Sequence, residues 1–133
     1  MKLLAGPLLL SVSLLAAAPP RLSFIKSFPG SVPAYCSVEV DKTGALRYRE
    51  APNDDQPVKA QLQSPDAASL FALAEKLAFF KSPIESGLKV ANTGKKTFRY
   101  ENEAGVATEV VFNYSTDLNA QQLLDRFEQI AAT

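Results

Sequence analysis

The chain has no histidine, no tryptophan and only one cysteine, Cys36. Without His it lacks the one side chain that ordinarily changes charge near neutral pH. A Ser-His-Asp or Cys-His relay is therefore excluded, as is any His-ligated zinc or haem site. One Cys can neither close an internal disulfide nor build a Cys-rich metal site. Neither sign of charge predominates, since Lys and Arg number 14 and so do Asp and Glu. That balance lacks the electrostatic footprint of a general nucleic-acid binder. No polybasic tract adjoins an amphipathic helix to hold an anionic lipid surface. No cofactor is expected.

What is present is ordinary globular material. The 133 residues amount to one domain, 47% of them hydrophobic and 21% charged, well within the range of folded rather than disordered chains. The first 17 residues stand apart. Lys2 is followed by an apolar run from Leu3 to Leu15 and then by Ala16, Ala17 and Ala18. Basic start, apolar stretch and small-residue exit are the order of an export signal, and the run is too short to span a bilayer. Residues 1–17 are read as that signal, cleaved after Ala17, and residues 18–133 as one α+β domain. Removing Lys2 and no acidic residue lowers the basic count from 14 to 13 against 14 acidic. The exported part then keeps no membrane anchor.

Alternation and helical spacing lay out the rest. Leu22 and Phe24 mark a first strand, and Pro29 to Pro33 a turn. Tyr35 to Asp41 is a strand with Cys36, Val38 and Val40 on one face; that parity places the thiol inward. Asp41-Lys42-Thr43-Gly44 closes a hairpin onto Leu46 and Tyr48. Asn53-Asp54-Asp55 lies in a surface turn and lacks the spacing of a calcium loop. Val58, Ala60 and Leu62 suggest a short fourth strand.

Ser64-Pro65-Asp66 reads as a helix start with Ser64 as cap. Leu70, Phe71, Leu73, Ala74, Leu77 and Ala78 form the stripe, and Pro83 the end. An extended loop follows to Thr93. Lys96 to Asn102 alternates with Phe98 and Tyr100 on one face, and Val106 to Tyr114 is the longest period-two run. The last helix is capped by Asn119, with Leu118 stapled onto Leu123, and its inner face is Leu123, Phe127 and Ile130. The fold class expected is α+β, an antiparallel sheet with two helices packed on one face, in the order β-β-β-(β)-α-β-β-α. Phe112 and Phe127 should meet in its interior.

Leu22-Ser23-Phe24, then Gly30, Pro33, Tyr35, Gly44, Tyr48 and the pair Phe79-Phe80 resemble the pattern of a family of small bacterial exported domains of unknown function. The resemblance runs from Leu22 to the C-terminus. It implies this fold and a cell-envelope or secreted setting, and it implies no activity. Members often carry two cysteines around the Gly-Pro-Tyr turn, where Phe28 and Val32 stand here, so no thiol role is implied at those positions.

Chemistry-bearing residues are few. Lys89, Lys95, Lys96 and Arg99, with Gly94 among them, make the densest basic cluster and the candidate anion or partner patch. Glu101, Glu103 and Glu109 could supply the paired carboxylates of a glycoside hydrolase. Tyr100 and Tyr114 could form an aromatic recognition surface. The reading that fits best is a non-enzymatic periplasmic or secreted binding module acting on an envelope or secreted protein. The alternatives are a small carboxylate-dependent hydrolase and a structural accessory domain of a larger envelope assembly.

Overall fold

The computed structural model describes residues 18–133; the stretch read as an export signal lies outside the described residues. Four strands come first: β1 (Arg21–Ser27), β2 (Tyr35–Asp41), β3 (Ala45–Arg49) and β4 (Val58–Gln61). Helix α1 (Ser64–Lys76) leads through a one-turn segment, Ala78–Phe80, to β5 (Lys95–Glu101) and β6 (Ala107–Phe112), and α2 (Leu118–Ala132) ends the chain. All pairings are antiparallel, and the strands stand in the order β4-β3-β2-β1-β5-β6. The fold is α+β, with the strand and helix order that the periodicities predict.

Parity decides which residues are inside. Leu22 and Phe24 of β1 face inward beside Val38 and Val40 of β2 and Phe98 of β5, all fully buried. Both helices cover this one face. Phe127 of α2 stacks on Phe24 at 5.5 Å between ring centroids. Phe98 holds the centre, its ring within 5.0–6.1 Å of Phe24, Phe80, Phe112 and Phe127. Phe112 and Phe127, the pair expected to meet, are both buried and are joined through Phe98. No helix among the described residues is long and apolar enough to cross a membrane.

The hairpin between β2 and β3 turns as its sequence requires. Asp41 Oδ1 accepts from the Thr43 and Ala45 amides, and Gly44 sits at φ +90. A Cβ at Gly44 would lie 2.5 Å from the Leu62 carbonyl oxygen. Gly44→Ala should therefore destabilise the protein by more than about 1 kcal/mol; a urea titration against the parent protein measures it.

Several boundaries differ from the sequence reading. Helix α1 begins at Ser64, so Gln63 is the cap and Pro65 falls one place further in; the Gln63 carbonyl, with no side-chain cap, takes the Asp66 and Ala67 amides. In α2 the cap is Asp117, whose carboxylate accepts from the Asn119 and Ala120 amides at 2.8 and 3.0 Å. A full negative charge there suits the helix dipole better than the Asn119 amide would. Leu118, moved into the first turn, is 72% exposed and staples nothing. The edge strand β4 is exposed throughout, so its alternation reflects pairing with β3 rather than burial. Cys36 points inward but is only half-buried at the sheet's end; burial pushes its thiol pKa up, with Lys26 opposing.

Helix α1 also stops before Pro83. Ala78, Phe79 and Phe80 follow with φ of 54, 50 and 66, three left-handed residues in a row without a glycine, at roughly 1–2 kcal/mol each. Burial of the Phe80 ring against Phe98 and a 2.6 Å bond from the Thr108 hydroxyl to the Phe79 carbonyl hold the turn. Ala78, expected on the buried stripe, is exposed as a result.

Candidate functional site

The basic cluster read from the sequence does not exist as one patch. Lys89 lies on the exposed loop before β5, and Lys95 is exposed at the start of that strand. Lys96 shares the parity of Phe98 and turns inward, where it is 3% exposed. Its Nζ donates to Thr93 Oγ1 and the Asn113 carbonyl, both at 2.7 Å, and to the Gly94 carbonyl at 3.3 Å. Three neutral acceptors thus use its three protons. Arg99 projects from the helix-free face, 3.5 Å from Glu101 and 3.8 Å from Glu109. The expected patch is corrected accordingly: strand alternation sends Lys96 and its neighbours Lys95 and Thr97 to opposite faces.

Lys96 serves a purpose the sequence reading missed. It and Lys26 are cross-strand partners under α2, and Lys26 pairs with Glu128 of that helix at 3.1 Å. Together with Asn113, Ser115 and Gln121 they line a hollow of about 300 Å³. Asn113 is a hub: its side chain accepts from the Thr93 amide at 2.8 Å and donates to the Ala91 carbonyl at 3.1 Å. Its own amide donates to Glu85 at 2.7 Å. That bond, with others from Gly87 and Tyr114, holds the Glu85 carboxyl below its usual range. The long loop 83–94 is thereby fastened to the end of β6. Only the parity of Lys96 signalled this.

The helix-free face gathers the remaining charge. Register sets Lys59, Arg47, Glu39, Ser23, Arg99 and Glu109 side by side across the six strands. Arg21 reaches from the next row to Glu39 at 3.2 Å and to Glu101 at 2.8 Å, while Arg47 and Arg49 each stand 3.9 Å from Glu39. Small side chains, Ser23, Ser27, Ser37 and Thr97, fill the spaces between, and a hollow of about 290 Å³ opens beside Arg21, Glu39, Arg47 and Lys59.

The hydrogen bond from Arg21 holds the Glu101 carboxyl below its ordinary range, despite some desolvation. A depressed carboxylate contributes stability above its unfolded value, about 4.3 for Glu, and loses it as the pH falls through the folded value. Acid unfolding of Glu101→Gln should accordingly be shallower than that of the parent below about pH 4.3; circular dichroism across an acid titration checks it.

The carboxylates are not arranged as a catalytic pair. Glu101 is engaged by two arginines on the open face, whereas Glu103 lies in the β5–β6 turn and lines a hollow on the helix side. Nor do Tyr100 and Tyr114 share a surface. Tyr100 is half-buried and stacks on Phe79 at 4.3 Å, and Tyr114 lies past the end of β6. No family model matches the chain, and no curated protein matches it. The reading of function therefore rests on this geometry.

Proposed function

We propose that the protein is a non-enzymatic binding module of the cell envelope or secreted space, and that it reads a protein partner with the helix-free face of its sheet. One observation carries the reading: the charges of that face are fixed in a lattice of arginine–glutamate pairs before any partner arrives. Preorganised charge gives specificity and orientation at low ordering cost. Basic side chains are in excess there. Arg21, Arg47, Arg49, Lys59, Lys95 and Arg99 share the face by register with Glu39, Asp41, Glu101 and Glu109. The partner is accordingly a protein presenting a surface richer in Asp and Glu. Glu101 and Glu103 support no hydrolase, being on different faces.

The test is cross-linked capture from the native envelope and secreted fractions, with the parent protein beside the double variant K59E/K95E. Neither lysine belongs to an ion pair among the described residues, so the lattice and the fold should survive the change. The expected result is one reproducible partner, captured by the parent, lost with the variant and weakened by salt. Capture of the same protein by both forms, or of none reproducibly by the parent, contradicts the proposal.

A further inference from the structure

On the helix side, away from the open face, a hollow of about 460 Å³ opens between the start of β1, helix α1 and the β5–β6 turn. Its volume is in the range of small-ligand sites. Three rings form its apolar wall. Phe71 comes from α1, and the half-exposed Phe79 is stacked with Tyr100 at a centroid distance of 4.3 Å and an interplanar angle of 30°. Phe79 is delivered to this wall by the left-handed turn, which sends the adjacent Phe80 into the core. Residues held in such sparsely populated backbone conformations cluster at binding sites.

The polar rim is Lys42, Glu75 and Glu103, with the Ser64 hydroxyl beside them. No ion pair or side-chain hydrogen bond engages these three charged groups among the described residues, so their bonding capacity is open. Lys42 Nζ stands 5.2 Å over the face of Phe71, the position a cationic ligand would seek. Lys42 already covers the ring face that a cation would take, and an anion meets the two carboxylates. A neutral molecule that both donates and accepts hydrogen bonds, and has an apolar face to lay on a ring, meets neither penalty.

We propose that this hollow binds a neutral carbohydrate, with its C–H face against the Phe79–Tyr100 wall. Its hydroxyls donate to Glu75 and Glu103 and accept from Lys42. The site is independent of the protein-reading face, and either assignment can fail alone.

The experiment is an array of neutral oligosaccharides (glucans, chitin oligomers, galactans and mannans), followed by NMR titration of the purified protein with the strongest ligand. Phosphorylated sugars and polyamines are titrated alongside. Saturable binding that shifts the Phe79 and Tyr100 resonances is expected. The variant F79G removes the ring and places glycine where φ is +50; it should bind at least tenfold more weakly. The variant E103Q, in an exposed turn, should weaken binding severalfold without touching the core, and D55A, in the exposed loop between β3 and β4, should leave it unchanged. The proposal is overturned if no neutral glycan binds the parent above the F79G background, if F79G and E103Q bind as the parent does, or if a charged ligand shifts these resonances at lower concentration.

Discussion

Phe98→Ala should remove about 3–5 kcal/mol of stability, a large share of the 5–15 kcal/mol typical of a whole domain. The ring is fully buried and is the common neighbour of Phe24, Phe80, Phe112 and Phe127. Those four come from β1, the left-handed turn, β6 and α2. Few of them can close the gap, because each is held by its own backbone element, so most of the cavity term persists. Phe112→Ala, nearer the sheet edge, should cost less. Urea unfolding followed by circular dichroism measures both, and a smaller loss for Phe98 than for Phe112 would place the centre of the core elsewhere.

Lys96→Ala should be the second large effect, about 1–3 kcal/mol, because it leaves the Gly94 carbonyl, and with it the half-buried Asn113 carbonyl and the Thr93 hydroxyl, without their donor. Its neighbour Lys95, exposed and in no ion pair among the described residues, should cost no more than about 0.5 kcal/mol when changed to Ala. The two variants differ by one position in sequence, and their contrast measures the inward turn of Lys96. A second readout is hydrogen exchange in loop 83–94, whose amides should lose protection in Lys96→Ala and in Asn113→Ala. A third is pH. Burial, and Lys26 beside it, hold the Lys96 ammonium pKa below its ordinary value. The unfolded chain therefore keeps that proton longer, and this group's contribution to stability rises as the pH climbs toward about 10.4, the ordinary Lys value. That rise should be missing from Lys96→Ala.

Lys96 also shows what could be read in the sequence and what could not. Strand parity located the core well, as Leu22, Phe24, Val38, Val40, Phe98 and Phe112 all lie inside where alternation put them. The parity of Phe98 applies to Lys96 as well, but its charge argues for water and the sequence reading sets it on the surface with Lys95; it is buried. The structure reconciles the two by bringing carbonyls of a distant loop to the ammonium, and no local pattern announces such a partner. Helix starts were less legible, since Asp117 and Asn119 are both good caps and only the packing of Leu123 and Phe127 chooses the frame. The turn at Ala78–Phe80 was not legible, because its residues carry no glycine and the strain is met by the burial of Phe80. The open-face lattice joins Arg21 to Glu101 across 80 residues, a separation only the folded sheet can close.

Everything proposed here depends on both helices sealing the same face of the sheet, which leaves the arginine–glutamate face bare. Nuclear Overhauser contacts between aromatic side chains test that arrangement most directly. The expected spectrum has the Phe127 ring in contact with Phe24 and Phe98, and no helix side chain in contact with Ser23, Arg99 or Glu109. Contacts from Leu123 or Phe127 to Ser23 or Thr97, or their absence from Phe24 and Phe98, would contradict it.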